Sequence, residues 1–225
     1  MASDSHKVDL CFPVKVLKKA EAKNVLAVDH AYLLYSALCQ NIQELHNDPE
    51  IGVFSVNGNP QKNRTLELHA KSQLVLRLPN SLIGRYLSLA GQHLQLGEFS
   101  IQLQGGYLRQ LLPVPRLYSR LVIIKGFTEP ESFLAAAQRQ LAELEIQAQA
   151  GLVYQPQIVA ENQGKQTGSR SLFLRRTLKI KDKQVVGFAL QVEGLSAEES
   201  IRLQEKGLGG RRHFGCGLFT PDQRR

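Results

Sequence analysis

The chain has 225 residues and 43% hydrophobic content, enough for one or two packed domains. No apolar run reaches the ~18 residues of a membrane span, and the opening Met-Ala-Ser-Asp-Ser-His-Lys is no secretory signal, so the expectation is a cytoplasmic protein that touches no membrane. Net charge is +8, and twelve Lys/Arg against six Asp/Glu fall within residues 170–225, so the last quarter carries most of the field and favours a polyanionic partner.

In chain order, Lys7 to Lys15 alternates polar and apolar residues like a half-buried strand. Val25 to Val28 follows, and Asp29 is placed to cap a helix. Leu33, Leu34, Ala37, Leu38, Ile42 and Leu45 then recur at helical spacing. Ile51 to Val56, Leu66 to Leu68 and Leu74 to Leu78 read as strands, with a short helix from Asn80 or Ser81 to about Ala90-Gly91. Leu94 to Leu103 is a strand pair or one interrupted strand. Gly105-Gly106 and Leu112-Pro-Val-Pro115 then extend and stiffen the chain, as a crossing between domains would.

The second half repeats the plan. Arg116 to Lys125 reads as a strand, and Thr128-x-x-Glu131 as a capping box opening a helix with Phe133, Leu134, Ala137, Leu141 and Leu144 on one face. Gly151 to Ser169 is polar and reads as a mobile loop. Ser171 to Ile180 and Gln184 to Val192 read as strands joined at Lys181-Asp182-Lys183, before a helix over 196–206 and a last strand near Gly217 to Thr220. The predicted class is therefore α+β. It consists of two tandem ferredoxin-like (RRM-like) β-α-β-β-α-β domains, over residues 1–112 and 113–225.

The most distinctive stretch is Gly207-Leu-Gly-Gly-Arg-Arg-His-Phe-Gly-Cys-Gly-Leu-Phe219. Glycines at 207, 209, 210, 215 and 217 let the backbone turn sharply and come close to a ligand, while Arg211, Arg212 and His213 supply donors for phosphate oxygens. The helix before it opens with the capping box Ser196-Ala-Glu-Glu199 and closes with Lys206 and Gly207. A Walker A loop is excluded, because Val159 stands where Gly164-Lys165 would need its first glycine. A dinucleotide fingerprint is excluded too: Arg212 takes the third glycine's place and the loop follows a helix.

The pattern Gly-x-Gly-x5-Gly-x-Gly near the C-terminus resembles the glycine-rich signature of the CRISPR-associated repeat-processing endoribonucleases, the sixth Cas family. The run Arg175-Arg-Thr-Leu-Lys-Ile-Lys-Asp-Lys183, the strand Val185 to Val192 and the stretch Glu193 to Gly207 match one subtype most closely, so the specific likeness covers about 45 residues. The resemblance implies a duplicated ferredoxin-like architecture and metal-independent cleavage of CRISPR precursor RNA within its repeats, with no cofactor. A 2′-hydroxyl attacks the adjacent phosphate, leaving a 2′,3′-cyclic phosphate and a 5′-hydroxyl. It also implies that the protein keeps its product and joins Cascade-like effector subunits, and that it has no direct DNA partner. The alternative on the same fold is a non-catalytic RNA-binding subunit of such an effector. A metabolic enzyme holding a phosphate ligand in the glycine loop is a third, weaker reading.

Such a cut needs an acid, a base and donors for phosphate charge, and histidine suits the first two. The segment Val28-Asp-His-Ala-Tyr-Leu-Leu-Tyr-Ser-Ala-Leu resembles the family's first helix, on which or just after which the resemblance places the general acid/base His. His46, where helix gives way to loop, is the first candidate and His30, at the helix start, the second. Sixteen residues of continuous helix span about 24 Å, so the two could not share a phosphodiester unless the helix breaks. Tyr32 and Tyr35 flank one helical side and either pack on the sheet, or orient the hydroxyl or stack on a base. His6, His69 and His93 read as surface or structural residues, and Lys125 as a strand-end lysine or as the remaining candidate to meet transition-state charge. His213 reads as a phosphate contact. Arg175, Arg176, Lys179, Lys181 and Lys183 read either as a solvated, aggregation-resistant edge or as a ribbon seating the phosphates of a repeat RNA, stem-loop or single-stranded. Few aromatics and no Trp count against a base-stacking binder. Cys11, Cys39 and Cys216 form no Cys-x-x-Cys pair, Cys11 and Cys39 lie within apolar patterns and read as reduced core thiols, and no metal-ligand set stands out.

Overall fold

The computed structural model describes residues 6–16, 25–46, 48–154, 172–181 and 183–222. The chain forms two compact units, Met1–Leu111 with Arg212–Gly215, and Leu112–Arg211 with Cys216–Arg225. Four residues of the glycine-rich stretch thus belong with the N-terminal unit rather than with their sequence neighbours.

In the first unit the strands are β1 (Lys7–Val16), β2 (Val25–Ala27), β3 (Gly52–Val53), β4 (Asn59–Gln61), β5 (Thr65–Glu67), β6 (Gln73–Pro79), β7 (His93–Leu96), β8 (Phe99–Leu103) and β9 (Tyr107–Gln110). The helices are α1 (Ala31–Asn41) and the short α2 (Ile83–Leu87). The main sheet runs β3-β6-β1-β8-β7, with β9 also on β1. The two inner strands β6 and β1 lie between the strand that follows α1 and the strand pair that follows α2. That is the ferredoxin-like order, closed by antiparallel pairs such as Leu10↔Leu76 and Val14↔Leu103. Alternation along β1 sends Leu10 and Phe12 into a core with Leu34, Leu38, Leu76 and Leu103. β2, β5 and β4 make a separate small sheet.

Alternate residues of β1 point to the other face, where Asp9 is buried. Arg77 Nε lies 2.8 Å from Asp9 Oδ1 and Arg77 Nη2 lies 3.1 Å from Oδ2, and Arg109 Nη2 adds a contact at 3.0 Å. The side chains of Asp9 and Arg77 are only 3% and 2% exposed, so each charge depends on the other for its solvation. The Arg77 guanidinium also sits 5.0 Å from the Phe54 ring centroid.

The second unit contains β10 (Arg116–Val122), α3 (Pro130–Glu143), β11 (Gln149–Leu152), β12 (Arg175–Ile180), β13 (Lys183–Glu193), α4 (Ala197–Lys206) and β14 (Thr220–Pro221). Its sheet order, β11-β13-β10-β14 with β12 on β13, repeats the order of the first unit. Phe133, Ala137 and Leu141 of α3 pack with Phe188, Leu190, Leu203 and Phe219. The architecture is two tandem ferredoxin-like α+β folds.

Local expectations fare unevenly. The Ser196–Glu199 capping box is present, each side chain bonded to the other residue's backbone N–H. Thr128 caps nothing: α3 starts at Pro130 with Glu129 before it, because proline's fixed φ suits the first helical position. Asp29 does not cap α1 but pairs with Arg64, and His30 stands at the cap position. β9 lies where the sequence suggested only a crossing. The loop expected from Gly151 is strand to Leu152, and residues 155–171 and Asp182 lie outside the described residues. Among the described residues, no helix is long and apolar enough to cross a membrane.

Candidate functional site

In the N-terminal unit, α1 stops at Asn41, whose side-chain amide bonds back to the Ala37 carbonyl at 2.9 Å. Ile42 is extended (φ −135°, ψ 96°), and a 3-10 turn over Gln43–Leu45 delivers His46. Leu45 is fully buried and anchors this turn, which leaves the His46 side chain exposed. The helix therefore breaks where a continuous one was expected.

Tyr35 lies beneath the turn. It is 8% exposed and its hydroxyl donates to the Leu45 carbonyl at 3.3 Å. The His46 ring stands 6.3 Å from the Tyr35 ring and the His213 ring 4.9 Å from it, both within 20° of its plane. Phe214 meets Tyr35 edge-on at 5.2 Å and stacks on Tyr32 at 6.3 Å. His213 Nε2 is also bonded to the Asp48 carbonyl, two residues beyond His46. A carbonyl only accepts, so that nitrogen carries the proton. The segment 212–214 is a 3-10 turn, and it holds the loop bearing His46 by an aromatic stack and a hydrogen bond.

His30 sits elsewhere. It is fully buried, with Nδ1 2.7 Å from the Ala27 carbonyl and Nε2 accepting from the Val56 amide at 3.0 Å. Both nitrogens are engaged by the protein's own backbone. The Tyr35 hydroxyl is likewise engaged by the Leu45 carbonyl, and its ring lies against those of His46 and His213. Tyr32 stays half-buried against Phe214. Phe214 was missed. The only signal was its place beside His213, since an aromatic within a glycine-rich basic loop looks equally like a base-stacking residue.

Two of the glycines lie against the protein's own backbone. A Cβ on Gly217 would fall 1.9 Å from the Leu208 carbonyl oxygen, and one on Gly209 2.3 Å from that of Ile123. Both have positive φ. The close approach is to the protein's own backbone: Leu208 N–H donates to Gly217 O and Gly217 N–H to Leu121 O. Gly207 closes α4, its N–H on Leu203 O, and Gly215 ends the 3-10 turn, its N–H on Arg212 O. Gly210 N–H donates to Ile123 O, but its own site is open.

Arg211 is exposed and adopts φ 65°, a left-handed conformation rare for a non-glycine residue. Arg212 is half-buried and its Nε has no hydrogen-bond partner. Burial holds its guanidinium below the ordinary arginine range, with Glu50 pulling the other way. In the second unit, Arg175, Lys179, Lys181 and Lys183 are exposed on the β12–β13 ribbon, while Arg176 is half-buried with an unpartnered Nε. Lys125 is exposed just past β10. Burial pushes the Cys216 thiol up to about 12 and raises those of buried Cys11 and half-buried Cys39. Among the described residues, no group of three or more His, Cys, Asp or Glu could hold a metal ion.

Residues 8–224 match the family model described as Cas6 Crispr. Over 217 residues the chain is 38% identical to the CRISPR-associated endonuclease Cas6 of Myxococcus xanthus (strain DK1622), covering 96% of this chain and 82% of the relative. Among solved structures, a CRISPR associated protein Cas6 superposes with a TM-score of 0.64 at 10% identity, covering 96% of this chain and 100% of that one. A protein described as "An RAMP protein binding different RNA substrates" superposes with a TM-score of 0.63 at 11% identity, over 94% and 98%. At those identities the two structures speak for the fold alone.

Proposed function

The chain belongs to the Cas6 family, and from that premise we propose that it is an endoribonuclease cutting CRISPR precursor transcripts within their repeats to release guide RNAs. The observation that carries the reading is His46: an exposed imidazole at a helix break, on a turn tied to the glycine-rich segment through Tyr35 and His213. The 38% identical relative is named as an endonuclease, which supports a cutting role over a purely binding one.

The reaction is an internal transfer. The 2′-oxygen loses its proton to a base and bonds to the adjacent phosphorus. The bond from phosphorus to the 5′-oxygen then breaks, and that oxygen takes a proton. The products carry a 2′,3′-cyclic phosphate and a 5′-hydroxyl, and the chemistry requires no metal. His46 serves as general base or acid, the role that histidine most often fills in proton transfer. Arg212, with an unpartnered Nε in the neighbouring segment, is suited to the charge developing on the phosphate. Exposed Arg175, Lys179, Lys181 and Lys183, with Arg211, supply donors for the RNA backbone. The product remains bound and passes with the protein into a Cascade-like effector.

The test is His46→Ala assayed on labelled repeat RNA in EDTA. Cleavage by the wild type should persist without divalent metal and give a cyclic phosphate. The variant should lose at least about a hundredfold in rate, in line with the loss of one acid/base group, while binding RNA as before. Wild-type-like cleavage by His46→Ala would remove His46 from the mechanism, and a 3′-hydroxyl product would overturn the chemistry.

A further inference from the structure

The N-terminal unit has a cavity of about 350 Å³ lined by Pro13, Ala70, Lys71, Ser72, Gln73 and Tyr107, apart from the His46 site. Its volume lies within the usual range for small-ligand pockets. The strand register builds it. Tyr107 stands opposite Cys11 in the β1–β9 pair, and Gln73 opposite Pro13 in the β1–β6 pair. Cys11 and Pro13 share one face of β1 by alternation, so Tyr107 and Gln73 stand on that face too. This is the face away from the core that holds Leu10 and Phe12.

Three features define what fits. Tyr107 is 48% exposed on a strand whose four residues are all exposed, so its ring has open area for stacking. Its hydroxyl donates to Gln73 Oε1 at 2.7 Å, which fixes the ring's tilt and turns the Gln73 amide nitrogen, a two-proton donor, away from that bond. Lys71 at the rim is exposed, and Lys15, two residues beyond Pro13 on the same face, is exposed as well. None of the described lining residues is acidic. A flat π-face, an amide donor and flanking ammonium groups match a nucleobase with its phosphates.

We infer that this cavity receives one unpaired nucleobase of the bound RNA, stacked on Tyr107, with an acceptor on its edge facing Gln73 and its phosphate near Lys71. The inference rests on the repeat-RNA reading above. It assigns a base-reading role to the N-terminal sheet, where the low aromatic content of the sequence gave no reason to expect stacking.

The experiment measures affinity for repeat RNA with the whole chain and an abasic ribose scanned through the unpaired positions. Tyr107→Ala should weaken binding of intact RNA by about ten- to a hundredfold, the effect of losing one stacked base. Tyr107→Phe should stay within about threefold. At one position, the abasic RNA should bind wild type and Tyr107→Ala alike, because the stacked pair is already broken. Lys71→Ala should reduce the salt slope by about one counterion, and Tyr107→Ala should leave the slope unchanged. Matching thermal melts of the variants exclude misfolding. Binding of intact RNA by Tyr107→Ala at wild-type strength overturns this assignment while leaving the endoribonuclease standing. A wild-type protein that does not bind repeat RNA overturns both.

Discussion

His213 bonds through Nε2 to the carbonyl of Asp48, 165 residues earlier in the chain. The same imidazole stacks on Tyr35, so a residue of the glycine-rich stretch helps fix the loop that presents His46. His213→Ala removes both contacts. It should cost about 1–3 kcal/mol, one hydrogen bond and one aromatic pair together, and slow cleavage by roughly ten- to a hundredfold through misplacement of the turn. His213→Gln, which restores a donor without a ring, should recover part of the rate. Thermal unfolding and single-turnover cleavage of both variants check this, and equal rates for His213→Ala and wild type would remove the clamp from the account.

His30 and His46 should separate cleanly. His30→Ala leaves the Val56 amide and Ala27 carbonyl without their partners in the interior, so about 3 kcal/mol of stability should go. Its cleavage should fall only with the folded fraction. His46→Ala, at an exposed position, should change stability by no more than about 0.5 kcal/mol. Urea titrations beside cleavage rates decide it, and a stable but inactive His30→Ala would reverse the roles.

Glu199 provides a pH test. Its carboxylate accepts first the Ser196 amide and then that of Gln147, and these bonds hold its pKa below the ordinary carboxylate value. A lowered folded pKa contributes stability that is complete above the unfolded pKa and is lost as pH falls through the folded one. The urea midpoint of Glu199→Gln should therefore lie below wild type at pH 7. The gap should narrow as pH falls below roughly 4, and a gap that stays constant through the acid range would refute the linkage.

Glycine at 217 should be irreplaceable and glycine at 210 replaceable. Gly217→Ala forces a Cβ onto the Leu208 carbonyl at positive φ and should cost about 3 kcal/mol or more. For a chain of this size that is a fall of roughly 6–12 °C in Tm. Gly210→Ala meets nothing within 4 Å and should melt near wild type. A calorimetric scan of the two tells them apart.

The sequence by itself determined the order of elements, since alternation along Lys7–Val16 and helical spacing through α1, α3 and α4 reflect periodicities that each segment carries alone. It determined the Ser196–Glu199 cap for the same reason: all its partners lie within one helical turn. Tertiary structure decided what depended on distant partners. Histidine at the start of α1 is compatible with catalysis or with the core, and only the fold brings the Val56 amide, 26 residues away, onto the His30 ring. Asp9 and Arg77 look like ordinary polar positions in their strands, and only the β1–β6 register joins them as a buried pair. The glycine pattern was plain, yet that Gly209 and Gly217 lie against Ile123 and Leu208 depended on how the chain returned to β10. β9 escaped notice because all four of its residues are exposed, leaving no buried face to mark it as a strand.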